Sequence, residues 1–486
     1  MNLIQPILGH AATRPNAPAL VEGDREIRYG ELAPLILRAA AQLAALGAAP
    51  GDRIGLCLKD GWEYVVALLA IARLGAVVVP LNWRAPPTEV SRHATTLSIK
   101  FALVEPETAL ALDCAAIPMD GSWHRSVAAR EPLSALPDDW HAPFVIAATS
   151  GSTGAPKFSI ATHLQFYCGI AGFTEMLALN GRHRYLSTLP LHFSGGRLGM
   201  LTHLLRGDCV LLCGSLINGA NFVRAATGLK ASAGFVVPSL IRDLLAIARD
   251  DLLLPGLARL TSVGAPLFAE EKRAAIRKVS PNFCDMYGTT ETNPISLLRS
   301  EDIDAHATSV GQPHSLAEVQ VVDDDERPLP LGEVGAMRFR GPALASPLAT
   351  PGQPSVMGFR NGWYYPGEIA ALDDCGYIYL AGRAAELIIR RGAKIYPAEV
   401  EAVLQRHPDV LECAVIGRSA SNNEEEVIAF LVGRRLLDLG AMVAHCRTYL
   451  EAAKRPQHLH FLEALPKNSS GKVDKRALAR LLTDPG

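Results

Sequence analysis

Short apolar runs alternate with longer amphipathic stretches along most of the chain. Arg53–Leu58 reads as a strand, Tyr64–Leu74 as a helix and Ala76–Pro80 as a second strand. Lys100–Val104, Phe144–Ala147, Tyr185–Leu189, Phe235–Pro238 and Arg259–Val263 are further short apolar runs, each followed by a loop or helix. Strands alternating with helices predict an α/β fold layered around largely parallel sheet. From about Glu318 the texture changes. Glu318–Val322 and Ala336–Arg340 alternate around the turn-like Asp323-Asp-Asp-Glu-Arg-Pro328, which predicts a β-rich subdomain. Tyr377–Leu380, Glu386–Arg390 and a helix over Pro397–Arg406 follow. The remaining residues read as a small α+β unit: strands Val410–Ile416, Glu426–Val432 and His458–Leu462, with a helix over Ala441–Ala453.

Length and charge narrow the class. A chain of 486 residues exceeds one simple core, so two or more domains are expected. With 47 basic and 49 acidic side chains, nothing points to a nucleic-acid partner or a polybasic membrane surface. The most apolar stretch, Val65–Leu81, contains Arg73, Gly75 and Pro80, and reads as a core helix feeding a strand, not as a membrane span. Met1-Asn-Leu-Ile-Gln-Pro6 lacks the basic start and long apolar run of an export signal. The nine cysteines are scattered without a Cys-x-x-Cys pair, which fits a reducing, cytoplasmic setting. Cys209 and Cys213 lie in an apolar run and read as buried strand residues in preference to a metal pair.

One loop carries chemistry. Thr149-Ser150-Gly151-Ser152-Thr153-Gly154-Ala-Pro-Lys157 follows a buried strand. Glycines let backbone N–H groups turn toward an anion, hydroxyls add donors and a lysine balances charge, which is a phosphate-binding design. It is not a Walker A loop, because no Gly-Lys-Ser/Thr closes it.

Further segments appear in register with it: Ser262-Val-Gly264-Ala265-Pro266-Leu267, Asp285-Met-Tyr287-Gly288-Thr289-Thr290-Glu291, Gly362-Trp-Tyr-Tyr-Pro-Gly-Glu368, Gly382-Arg383 with Gly392-Ala-Lys-Ile-Tyr-Pro-Ala-Glu-Val-Glu401, and Pro466-Lys-Asn-Ser-Ser-Gly-Lys472. Together they resemble the adenylate-forming superfamily of acyl- and aryl-CoA ligases, peptide-synthetase adenylation domains and luciferases, over nearly the whole chain. The resemblance implies ATP, Mg²⁺ and coenzyme A as partners of a small-molecule carboxylic acid. It implies a large multi-subdomain N-terminal domain (1–382), a hinge (383–385) and a small mobile C-terminal domain (386–486). Dimers are common among relatives, so a homodimer is compatible with it.

The same resemblance implies roles. Thr149, Ser150, Gly151, Ser152, Thr153, Gly154 and Lys157 cradle phosphates. Gly264, Ala265 and Pro266 flank adenine, and Tyr287, with Gly288 and Thr289, stacks on it. Thr290 meets the α-phosphate, Glu291 holds Mg²⁺, Glu368 takes the ribose, Arg383 contacts ribose or phosphate, and Gly392 admits the pantetheine arm. Lys472 bridges the acyl carboxylate and the α-phosphate, where negative charge concentrates. By position, His192, Phe193, Val236, Val237, Gly264 and Met286 line the acyl pocket. They are mostly apolar and show no evident cation for a second carboxylate, which favours an aromatic or medium aliphatic monocarboxylic acid.

Several positions depart from the pattern. Glu368 stands where aspartate is common, Pro366 where threonine is usual, Ala385 where the hinge carries Asp or Lys, and Phe158 where glycine often follows the loop lysine. In Pro190-Leu-His-Phe-Ser-Gly-Gly196 the aromatic follows the histidine. Two other functions stay open at this point: an adenylating enzyme that loads a carrier protein, and a non-catalytic nucleotide- or acyl-binding homologue. No aspartate in Leu189–Ser194 is placed to pair an amino-acid ammonium, which disfavours amino-acid loading.

Overall fold

A computed structural model describes residues 2–107, 114–133, 139–149, 157–214, 217–350, 358–390, 393–419, 425–467 and 473–482. Its largest sheet has nine strands, in the order Gln312–Pro313, Asn293–Leu298, Phe283–Thr289, Arg259–Val263, Ala233–Val236, Arg184–Ser187, Cys209–Leu212, Pro18–Glu22 and Arg25–Arg28. From Phe283–Thr289 to Pro18–Glu22 every pairing is parallel, and the outer pairings are antiparallel. A seven-stranded sheet runs Ser346–Leu348, Lys157–Thr162, Pro143–Thr149, Val77–Pro80, Arg53–Cys57, Phe101–Val104 and Ala116–Pro118, again with a parallel centre. Parallel strands covered on both faces read as unbroken apolar runs, and Val77-Val-Val and Cys209-Val-Leu-Leu212 are buried throughout.

One apolar cluster joins the two sheets. It takes Ile54 and Val78 from the smaller and Leu20, Val210 and Phe235 from the larger. The helix Trp62–Leu74 lies within this cluster, which is why it is apolar nearly all round. Gly75, at φ +76°, closes it with N–H bonds back to the last turn. A second cluster, with Leu211, Val236, Leu260 and Phe283, covers the opposite face of the nine-stranded sheet. The expected β-rich subdomain is a six-stranded antiparallel sheet built from Glu318–Val322, Gly335–Arg340, Phe359–Arg360, Trp363–Tyr364, Glu368–Leu372 and Ile378–Arg383.

Toward the C-terminus, strands Val410–Ser419, Glu425–Gly433 and His458–Phe461 pack with helices Pro397–Leu404 and Leu439–Tyr449 around Val400, Val415, Val427 and Met442. The Lys475 ammonium lies 2.6 Å from Glu386 and 3.1 Å from Glu401. That ties the final helix, Lys475–Arg480, to the start of this unit.

Most of the expected strands are present, with informative differences at their ends. Ala233–Val236 stops short of Pro238, which instead opens the helix Pro238–Ile247, where a missing N–H is harmless. A 3-10 turn, Ala384–Glu386, precedes the strand Ile388–Arg390, so the expected strand begins two residues late. Among the described residues no helix is long and apolar enough to cross a membrane.

Candidate active site

In open α/β sheets ligands gather beyond the carboxyl ends of the parallel strands. Four loops with candidate residues leave the large sheet there: His192 and Phe193 after Arg184–Ser187, Val237 after Ala233–Val236, Gly264–Pro266 after Arg259–Val263, and Thr290–Glu291 after Phe283–Thr289. Gly264 is exposed with φ +98°, a backbone state that favours glycine.

The segment expected to be a loop at Tyr287–Glu291 is the tip of a hairpin between Phe283–Thr289 and Asn293–Leu298. A bulge falls between Tyr287 and Gly288. A Cβ on Gly288 would lie 2.2 Å from the Asn293 carbonyl oxygen, so only glycine lets the two strands approach this closely. The tip is laced by hydroxyls: the Thr289 N–H donates to Thr292 Oγ1 at 3.0 Å, and the Thr292 N–H to Thr289 Oγ1 at 3.3 Å. The Ala345 N–H donates to the Glu291 carbonyl at 2.8 Å. Behind the hairpin, Lys272 and Asp285 form a buried ion pair at 2.8 Å. Burial raises the Asp285 pKa even against the lysine charge.

Glu291 is 5% exposed. The Tyr364 hydroxyl lies close to its side chain and that of Thr289. Burial, reinforced by Glu291, pushes the Tyr364 pKa up, so the phenol keeps its proton. Tyr287 packs beside the β-rich subdomain with its hydroxyl buried and unpartnered. Burial raises its pKa well above the usual value, with Glu368 adding to the effect and Arg383 opposing it. Glu368 and Arg383 sit opposite each other on paired strands, their side chains 3.2 Å apart. Burial lowers the Arg383 pKa, but Glu368 and Glu386 outweigh it, and the net shift is upward. Tyr287, Glu291, Tyr364, Glu368 and Arg383 therefore form one polar group at the meeting of the hairpin and the β-rich sheet.

The ends of the phosphate-loop segment are placed, since Thr149 and Lys157 pair directly across two antiparallel strands. Ser150–Gly154, Gly392 and Lys472 lie outside the described residues.

Of the acyl-pocket candidates, Met286 and Val237 pack in or against the cluster between the sheets. Val236 does not: it is fully buried in the second cluster, on the other face. Side chains alternate along a strand, so Val236 shares its face with Ser262 and Asp285, whereas Phe235 lies on the same face as Met286. The His192 and Phe193 rings are 4.3 Å apart. Both His192 ring nitrogens are buried without a partner, and burial, then Arg197 and Arg84, hold its pKa down to about 3, so the ring is neutral near pH 7.

A small cavity, of about 10 Å³, lies beside the hairpin. Ala147 and Ser159 from the strands flanking the phosphate loop, Thr290 and Asn293 from the hairpin, and Ser194 and Arg197 from the helix Ser194–Arg206 all line it. Sequence reasoning missed Tyr364 and Arg197. Tyr364 lay inside a segment singled out for its glutamate. Arg197, a charged residue in the otherwise apolar and small run Ser194–Leu201, was the available signal.

Comparison with known proteins agrees with this geometry. Residues 9–347 match the AMP-binding enzyme family and residues 399–472 its C-terminal domain. The chain is 31% identical to a feruloyl-CoA synthase of Amycolatopsis sp., over 97% of each chain. It is 27% identical to an indoleacetate–CoA ligase of Aromatoleum aromaticum, over 99% of this chain and 98% of that one. An anthranilate CoA ligase solved with anthranoyl-AMP superposes with a TM-score of 0.89 at 24% identity, over 99% of this chain and 97% of that one, which shows a shared fold. The chain belongs to the AMP-binding enzyme family, within the adenylate-forming superfamily.

Proposed function

We propose that this protein is an AMP-forming acid–thiol ligase for an aromatic or medium aliphatic monocarboxylic acid. The acid's carboxylate oxygen attacks the α-phosphorus of ATP. The bond to the β-phosphate breaks, pyrophosphate leaves, and an acyl-adenylate remains. The coenzyme A thiolate then attacks the acyl carbon, the bond to AMP breaks, and an acyl-CoA forms. The observation that carries this reading is the polar group around the hairpin tip, where Thr289 and Glu291 lie beside Tyr364 and Tyr287 lies beside the Glu368–Arg383 pair. The near full-length likeness to relatives named as CoA ligases supports it.

Each residue has a place in this chemistry. Thr290 donates to the α-phosphate. Glu291, a lone hard carboxylate at the tip, suits Mg²⁺, which takes one or two carboxylates and completes its shell with phosphate oxygens and water. Bound there, the ion neutralises phosphate charge. Tyr287 offers its face to adenine, and Glu368, with Arg383 beside it, accepts from the ribose hydroxyls. Residues 150–154 with Lys157 hold the outer phosphates, and Gly264–Pro266 flank the base. Phe193, Val237, Phe235 and Met286 enclose the acyl group, with His192 at its edge. Residues 386–486 form the mobile unit that turns about 383–385, bringing Lys472 to the first step and Gly392 to the second.

The test is pyrophosphate release from ATP and Mg²⁺ over a panel of aryl and aliphatic acids, with and without coenzyme A. Sustained turnover and accumulating acyl-CoA only when coenzyme A is present are expected. A single burst that coenzyme A does not extend would overturn the thiol acceptor, and no release with any acid would overturn the activity. Lys472→Ala is expected to slow adenylate formation by about 10²–10³-fold, the usual loss for one transition-state electrostatic contact. Thioester formation from preformed acyl-adenylate is expected to change far less.

A further inference from the structure

Lys272 and Asp285 are 2% and 5% exposed, and their side chains meet at 2.8 Å. Three segments come together on this pair. Lys272 lies on the helix Ala269–Lys278, which follows the Gly264–Pro266 loop in the chain. Asp285 lies on the strand Phe283–Thr289, two residues before Tyr287 and on the same face. Its neighbour on the adjacent strand is Ser262, two residues before Gly264, and the Ser262 hydroxyl lies close to the Asp285 carboxylate. The Lys272 ammonium also donates to the Ser309 carbonyl at 2.8 Å. Ser309 Oγ donates to the Ile378 carbonyl at 2.8 Å and accepts from the Gly311 N–H at 2.9 Å, which fixes this turn against the start of the strand Ile378–Arg383. The Val310 carbonyl accepts from Ser296, on the second arm of the hairpin, at 2.8 Å.

Stability alone does not call for a charge pair here. Taking both ions out of water offsets most of their attraction, and apolar residues of similar volume often hold a fold equally well. Burial raises the Asp285 pKa even against the lysine, so the site is an unfavourable one for a carboxylate. Its surroundings suit apolar side chains, since Leu267, Ala275 and Phe283 belong to the apolar cluster on this face of the sheet. A charge-assisted hydrogen bond supplies what apolar packing does not, a fixed direction and distance. The segments it fixes are those that carry Gly264–Pro266, Tyr287 and Arg383.

We propose that Lys272 and Asp285 are positioning residues for the adenosine part of ATP. Their contact holds the adenine-side loop, the hairpin and the strand of Arg383 in one register, so that Tyr287 stays packed against the sheet that carries Glu368 and Arg383. The proposal rests on the ligase reading above and deepens it on the nucleotide side. The pair acts through Tyr287 and Arg383 and not by touching ATP.

The experiment compares wild-type enzyme with Lys272→Met/Asp285→Leu, which removes both charges and keeps the bulk. Either substitution alone would leave the other charge buried and unpaired, and would report on folding. The readouts are ATP affinity by calorimetry without acid, KM for ATP and for the best acid of the panel, kcat and the thermal midpoint. The double variant is expected to keep a midpoint near wild type while ATP affinity falls, and KM for ATP rises, about tenfold. KM for the acid and kcat at saturating ATP are expected to change little. Lys272→Gln/Asp285→Asn, which keeps a hydrogen bond without charge, is expected to recover part of the loss. If Lys272→Met/Asp285→Leu does not fold, Lys272→Met/Asp285→Asn serves the same comparison. Unchanged ATP affinity in whichever of these two folds overturns the proposal. So does an equal loss for ATP and acid, or failure of both to fold, since the pair would then support the fold as a whole. Wild-type enzyme that binds ATP but releases no pyrophosphate with any acid defeats the ligase reading instead, and the comparison of ATP affinities still decides the proposal.

Discussion

The Tyr364 hydroxyl, a protonated donor, lies beside the nearly buried Glu291 carboxylate, and the two depend on each other unequally. Removing the donor leaves a nearly buried carboxylate short of a partner, which costs about 1.5–3 kcal/mol for a charged group. Tyr364→Phe keeps the ring that fills the space beside Phe359, 4.8 Å away. Its expected effect is on the position of Glu291: the Mg²⁺ concentration for half-maximal adenylation rises several-fold, while affinity for the acid is little changed. A Mg²⁺ titration of pyrophosphate release reads this directly. The glutamate itself was legible from Tyr-Gly-Thr-Thr-Glu. Its donor was not, because Tyr364 comes from a strand 73 residues away that only the tertiary fold brings alongside.

The hairpin Phe283–Leu298 is an element whose shape depends on one missing side chain. Gly288→Ala would drive a Cβ to 2.2 Å from the Asn293 carbonyl, in backbone on both sides, so neither strand can step aside cheaply. Overpacking of this kind costs about 1–3 kcal/mol. The expected outcome is a lower thermal midpoint and weakened ATP binding, measured by calorimetry. At this scale much of the fold was legible. Buried parallel strands such as Val77–Pro80 and the apolar helix Trp62–Leu74 announce themselves by unbroken apolar runs. What a run lacking alternation hides is facing, and that is why Val236 was assigned to the pocket while Phe235 lies on its side. A hairpin whose tip is all small and polar residues likewise reads as a loop until its bulge and paired hydroxyls are seen.

Across the whole molecule, two buried histidines set a response to acid. Burial lowers the His163 pKa from 6.5 to about 4 and the His192 pKa from 6.5 to about 3. A base whose folded pKa is depressed stabilises the fold above its unfolded value, because the unfolded chain binds its proton first as pH falls. Stability is therefore expected to be full above about pH 6.5 and to fall on acidification toward pH 4. Each histidine contributes a slope of about 1.4 kcal/mol per pH unit within its window. Denaturant titrations at pH 7, 6 and 5 measure it, and His163→Leu is expected to flatten the slope. His163 packs 5.1 Å from Phe144 in the cluster between the sheets, so this sensitivity belongs to the seam that holds them together.

The Lys475 contacts with Glu386 and Glu401 have a mechanical consequence. Three residues before Lys475 stands Lys472, and one residue before Glu386 stands Ala385. The double clasp makes the helix Lys475–Arg480 travel with Glu386 and the helix Pro397–Leu404 as one stiff body, so a displacement at either end of this unit is felt at the other with little slack.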